Sequence, residues 1–249
     1  ALGLYYTNRE RPGTTLEAYT FLKTETHDYR PMTNPQFQPD RRIATLGSRL
    51  VQEFRDGWSV NGEFAWQWGK QDGRPGTLEG PRDIEAWGGY GRVKKALDVP
   101  WKPVLSAGYI ALSGQDPDSG RITAWDPIFS RWPRWSELYV YSQIPEKGVA
   151  YATNTGLLEA ELRLRPSDPL ELRATWYRMK AMEAPLPGGT FGEGRKRGEL
   201  LELRADYRFN SQFKGHVLYE HLAPGSFYAG QAAGHFLRFE ISYLFKTRL

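Results

Sequence analysis

The chain has 249 residues, no cysteine, and 33 lysines and arginines against 29 aspartates and glutamates. That length accommodates one large domain, and the absence of thiols excludes disulfides, thiolate metal sites and haem attached through cysteines of this chain. The near-balance of charge, with no basic run interleaved with aromatics, argues against a nucleic-acid footprint, and no run of about 18 apolar residues offers a transmembrane helix.

Taken in chain order, the sequence alternates with period two almost throughout, the mark of strands with two unlike faces. The predicted strands are 1–8, 14–25, 41–54, 58–69, 82–95, 102–113, 154–165, 169–181, 198–209, 212–222 and 234–247. In the fourth, Trp58, Val60, Gly62, Phe64, Trp66 and Trp68 alternate with Ser59, Asn61, Glu63, Ala65 and Gln67. In the seventh, Leu158, Ala160, Leu162 and Leu164 alternate with Glu159, Glu161, Arg163 and Arg165. The ninth sets Leu201, Leu203, Ala205, Tyr207 and Phe209 against Glu202, Arg204, Asp206 and Arg208, and the last sets Leu237, Phe239, Ile241, Tyr243 and Phe245 against Arg238, Glu240, Ser242 and Lys246. Several of these reach the roughly 9–11 residues that a tilted membrane strand needs.

Connection lengths also alternate. Residues 9–13, 55–57, 96–101, 166–168 and 210–211 form short links, and 26–40, 70–81, 114–153, 182–197 and 223–233 form long ones. Tight periplasmic turns and long extracellular loops are the pattern of an outer-membrane barrel. The fold class expected is therefore all-β, a transmembrane antiparallel up-and-down barrel. A barrel this wide cannot fill its bore with side chains, so the apolar face must meet lipid and the polar face must meet water. Trp58, Trp101, Tyr207, Phe209, Phe213, Tyr243 and Phe245 near short links, and Trp66, Trp68 and Trp176 near long ones, supply two aromatic belts.

Counting back from the last strand puts Ala1 on the extracellular side, where a single-chain barrel does not start. The expectation is that residues 1–249 form one barrel domain lacking an odd number of upstream strands. That count depends on 137–142, which could form a further strand.

The pore-lining candidates are Arg49, Arg163, Arg165, Arg173, Glu202, Arg204, Asp206, Arg208, Arg238 and Glu240, each on the polar side of an alternation. As a selectivity lining they favour anions at most mildly, because over the wider polar side, with Glu53, Glu63, Glu159, Glu161, Glu171, Lys214, Glu220 and Lys246 added, acids and bases are roughly even. As a plain solvated wall they form cross-strand ion pairs. Asp116-Pro117-Asp118-Ser119-Gly120 has oxygen ligands at calcium-like spacing, but turn chemistry accounts for the same residues. The long link 114–153 holds Trp125, Phe129, Trp132, Trp135, Tyr139 and Tyr141, and reads equally as a plug in the bore or as a self-packed external loop. The four histidines, His27, His216, His221 and His235, show no metal or catalytic spacing, and His216 and His221 face opposite sides of one strand. No nucleophile motif or phosphate-binding loop occurs, so no enzyme, cofactor or metal site is expected.

Trp101-Lys-Pro-Val-Leu-Ser-Ala-Gly-Tyr109, Ser113-Gly-Gln-Asp-Pro-Asp-Ser-Gly120, Trp125-Asp-Pro-Ile-Phe129 and Arg131-Trp-Pro-Arg-Trp-Ser-Glu-Leu-Tyr-Val-Tyr-Ser142 resemble the alginate-export family of Gram-negative outer-membrane proteins, as do Gly3-Leu-Tyr-Tyr6 and Arg11-Pro-Gly-Thr-Thr-Leu-Glu-Ala-Tyr19. The resemblance implies a barrel of about eighteen strands, of which this chain is the C-terminal part, and passage of an anionic polysaccharide. The partners expected are outer-membrane lipid, a hydrophilic anionic solute or polysaccharide, and a periplasmic protein or lipoprotein. A competing reading makes the barrel a sleeve or anchor for such a partner. The terminal strand also resembles the signal read by barrel-insertion machinery, although that signal usually ends in Phe and this chain ends in Leu249.

Overall fold

The computed structural model describes residues 1–26, 39–73, 80–129, 135–141, 152–185, 191–228, 230 and 232–245. Lys246, His27 and Trp132 lie outside them, as does the Tyr141 side chain. The described strands are β1 (Leu2–Asn8), β2 (Thr14–Glu25), β3 (Arg41–Glu53), β4 (Trp58–Gln71), β5 (Arg82–Ala96), β6 (Val104–Leu112), β7 (Thr155–Ser167), β8 (Leu170–Lys180), β9 (Lys196–Arg208), β10 (Phe213–Pro224) and β11 (Gly234–Tyr243). They form one 11-stranded antiparallel sheet in which every strand pairs with its neighbours in sequence. The sheet is not closed: β1 and β11 each have one unpaired edge among the described residues.

The candidate further strand at 137–142 is corrected. Glu137–Tyr141 forms a short α-helix, α1. Ser136 precedes it and its hydroxyl accepts the Tyr139 amide at 3.2 Å, so the local sequence caps a helical turn instead of pairing with a neighbouring strand. No helix among the described residues is long and apolar enough to cross a membrane.

The two faces of the sheet differ in kind. On one, Leu237, Phe239 and Ile241 are 57%, 70% and 73% exposed in a single row. Phe64, Trp66 and Trp68 on β4, and Leu158 and Leu162 on β7, continue that surface. Such an area is far larger than a water-soluble monomer leaves bare, and an acyl-chain environment covers it. We call this face outer. The opposite, inner face carries nearly all the ion pairs of the sheet and is the face on which the longest loop rests.

On the inner face, long side chains bridge alternate strands by passing over glycines. Tyr19 of β2 lies across Gly47 of β3 and donates to Glu63 of β4 at 2.5 Å. A Cβ on Gly47 would come within 2.3 Å of the Tyr19 ring, so only glycine leaves this path open. Arg92 of β5 likewise passes Gly108 of β6 to reach Glu159 of β7 at 2.5 Å. These bridges tie strands that do not pair directly.

Candidate functional site

The β6–β7 connection folds back over the inner face in two arms. The first arm starts at Ile122, whose amide and carbonyl bond to the carbonyl of Asp83 and the amide of Glu85. Trp125 then sits in a hollow above Gly88 of β5, where a Cβ would meet its ring at 2.9 Å. Asp126, 6% exposed, is the anchor. It pairs with Lys23 of β2 at 3.2 Å and with Arg41 of β3 at 2.7 Å. Its backbone exchanges two hydrogen bonds with the Gln67 side chain of β4, at 2.7 and 2.9 Å. Phe129 ends the arm edge-on to Phe21 of β2.

The second arm, residues 135–141, rests on the other flank. Glu220 of β10 is fully buried and accepts three hydrogen bonds: from the Ser136 hydroxyl at 2.6 Å and from the Glu137 and Leu138 amides at 2.9 Å each. Those donors are free amides and a hydroxyl at the start of α1, which an anion satisfies well. Arg238 of β11 grips the Glu137 carboxylate through both oxygens at 2.6 Å. Leu138 and Tyr139 pack with Leu157, Tyr177, Met179, Leu200 and Leu222 from β7–β10, and with Phe227 and Tyr228. The loop therefore straps the inner face at both flanks near the long-loop end. Of the two readings of this segment, its described residues follow the inward one.

Toward the short-turn end the same strands become charged. Arg163, Arg173 and Arg204 stand directly opposite one another across β7, β8 and β9, and Arg238 lies in the same row beyond Leu218. Carboxylates flank this row on both sides. Glu161 and Glu202 lie one step toward the loops; Glu171, Asp206 and Glu240 lie one step toward the turns. Arg204 holds Asp206 through two bonds of 2.8 Å. Arg163 reaches Glu161 at 3.3 Å, and Arg173 reaches Glu171 at 3.4 Å. The buried Nε atoms of Arg163 and Arg173 face Glu171 at 3.6 Å and Glu161 at 3.9 Å, beyond hydrogen-bond reach. Like charges in direct opposition destabilise a sheet, so the row persists because its carboxylate neighbours compensate it. Below it lies a hollow of about 460 Å³, lined by Arg165, Arg204, Arg208, Lys214, His216, Asp168, Glu171, Asp206 and Glu240 among others.

All ten residues expected on the polar side occupy the inner face. Eight of them, Arg163, Arg165, Arg173, Glu202, Arg204, Asp206, Arg238 and Glu240, gather on β7–β9 and β11, where Arg165 pairs with Glu171 at 3.2 Å and Arg238 pairs with Glu240. Arg208 is exposed at the rim of the same region. Arg49 stands apart on β3, bound to Glu17 at 2.8 Å and to the Tyr90 hydroxyl at 3.0 Å. Sequence reasoning missed the roles of Asp126, Lys23, Arg41, Gln67 and Glu137. Gln67 shares the polar alternation of β4, but nothing local marks Asp126 or Glu137 as anchors. In the acidic loop, the Asp116 carboxylate accepts the Asp118 amide at 2.9 Å, the turn use of such a residue. His216 faces inward and His221 outward, where its ring lies 4.6 Å from that of His235.

Comparison with known proteins agrees with this architecture. The copper transporter OprC is similar in structure, with a TM-score of 0.55 at 15% identity over 97% of this chain. The chain spans 40% of the length of that protein. A Pseudomonas aeruginosa FadL homologue aligns at a TM-score of 0.45 and 14% identity, covering 99% of this chain and 66% of its own. OmpT, an outer membrane protein of Vibrio cholerae, aligns at 0.44 and 12%, covering 97% of this chain and 64% of its own. No curated protein sequence matches at a significant level. The profile of the family described as alginate export matches residues 2–237, nearly the whole chain. With its eleven up-and-down strands and lipid-facing outer surface, this chain belongs to the alginate export family and is an outer-membrane β-barrel protein of Gram-negative type.

Proposed function

We propose that the chain forms part of the wall of a water-filled channel that passes a hydrophilic, anionic solute or polysaccharide. One observation carries the reading: the row Arg163, Arg173 and Arg204, in direct cross-strand opposition on the inner face. Guanidinium groups offer planar, paired donors that suit carboxylate oxyanions. The flanking carboxylates keep each contact weak, so a polyanion can exchange one arginine for the next instead of lodging at one. Arg165, Arg208 and the hollow beside them form the approach from the short-turn side, and Glu202, Asp206 and Glu240 set how strongly the row attracts anions. Further strands close the wall, because the bare edges of β1 and β11 cannot stand unpaired in lipid.

The test is selectivity. The full-length protein in a planar bilayer under a salt gradient should show a reversal potential favouring anions. The R163Q/R173Q/R204Q variant should lose that preference or turn cation-selective, because Glu161, Glu171 and Glu202 remain. Unchanged selectivity in a correctly folded triple variant would remove the arginine row from the conduction path.

A further inference from the structure

The outer face is apolar along most of its height, and its charges collect toward the long-loop end. Two groups there differ. On β3–β5, Arg42 stands opposite Lys70 and Lys70 opposite Asp83, while Glu85 of the same face pairs with Arg121. Two carboxylates thus stand among three cations. On β8–β9, Lys180 stands directly opposite Lys196, and Arg178 follows two residues away on the same face. All three side chains are exposed, and none forms an ion pair among the described residues. Among the described residues, Glu199 sits opposite Arg178 and accepts the Trp176 indole N–H at 3.3 Å, and Glu183 is held by Arg195.

A bulge builds this group. Lys180 pairs with Lys196, whereas its neighbour Met179 pairs with Gly198, so Arg197 is an extra residue in β9. Strict alternation from the outward Glu199 would turn Arg197 outward and Lys196 inward. The extra residue reverses both. Arg197 turns inward to the Tyr228 hydroxyl at 3.0 Å and the Asn154 carbonyl at 3.1 Å, and Lys196 joins Lys180 outside. Lys180 is laid down in turn. Its stem crosses Gly156, where a Cβ would come within 3.0 Å of it, and its ammonium lies 5.9 Å from the centre of the Tyr109 ring.

Paired strands lie about 4.8 Å apart and same-face neighbours about 6.8 Å apart. The three basic residues are thus rooted within the span of one or two phosphate groups, with the Lys180 ammonium leaning over β7 toward Tyr109. Lys180 and Lys196 are rooted directly opposite each other, and a bound anion would offset their repulsion. The group sits just beyond Trp176, on the side of the long loops, which is the external headgroup level of an outer-membrane barrel. We propose that Arg178, Lys180 and Lys196 dock the phosphates of a phosphorylated lipid of the outer leaflet, whose acyl chains then run down the outer surface past Leu158 and Leu201.

The experiment titrates the full-length protein, in zwitterionic detergent micelles, with diphosphorylated lipid A, with the same lipid stripped of phosphate, and with inorganic phosphate, read by native mass spectrometry. Diphosphorylated lipid A should bind at least about tenfold more tightly than the stripped form, and the R178Q/K180Q/K196Q variant should lose about tenfold or more of that affinity. Lys70→Gln, beside Asp83 in the β3–β5 group, should change nothing. If the triple variant does not fold, Lys196→Gln alone should weaken binding about threefold. Equal affinity for the two lipids, equal binding by wild type and variant, or inorganic phosphate competing at equal strength would each overturn the proposal.

Discussion

Toward the long loops, the inner face carries Leu157, Tyr177, Leu200 and Leu222, buried under Leu138 and Tyr139 of the strap. Further along the same strands, toward the short turns, it carries Arg163, Arg173 and Arg204 above an open polar hollow. One face of one sheet thus holds a dry layer and a wet one, and the boundary falls near Glu220 and Glu202, which lie opposite each other. Where a loop covers the wall, apolar side chains are tolerated inside a barrel; where none does, charge is required. The layering therefore depends on the strap staying in place.

The largest effect expected from breaking this arrangement comes from Glu220→Ala. It deletes the acceptor of three buried hydrogen bonds, which together hold the second arm by roughly 3 kcal/mol or more. The strap should detach, and single-channel conductance of the full-length protein should rise severalfold; a folded variant with wild-type conductance would show that this arm does not narrow the path. Gly88→Val comes next. It fills the hollow under Trp125, and overpacking of this kind costs about 1–3 kcal/mol. Tryptophan emission should shift to the red as the first arm lifts, with little change in overall strand content by circular dichroism.

Gly47→Val tests the wall without the strap. It blocks the path of Tyr19 to Glu63 and should lower stability by about 1–2 kcal/mol in urea unfolding from lipid vesicles, leaving the Trp125 environment as it was. The smallest effect should be that of Asp118→Ala, which retains the Asp116 turn; a change within about 0.5 kcal/mol is expected. A larger one, reversed by chelation, would revive the calcium reading of that loop.

The strands were legible because each keeps a period of two with charge on one side, as in β4 and β11. The alternation of short and long links was legible for the same reason: turns and loops fall where the pattern stops. The dry layer was not. Leu157 beside Leu158, and Leu200 beside Leu201, look like lapses in the alternation, and the residues that cover them lie far away in sequence. The bulge at Arg197 was equally hidden, since one extra residue changes a side without changing the composition of the strand. Asp126 and Glu137 carry no local mark because their partners sit on β2, β3 and β11. The ten lining candidates were readable one strand at a time, but their alignment into an arginine row needed the register.

That every strand bonds only to the one before and the one after has a consequence for how such a wall can change over time. A hairpin can be duplicated or lost anywhere along the meander without any segment having to cross another. Each event would widen or narrow the ring by two staves, and the same nearest-neighbour wiring lets the wall assemble by successive zippering from whichever hairpin forms first.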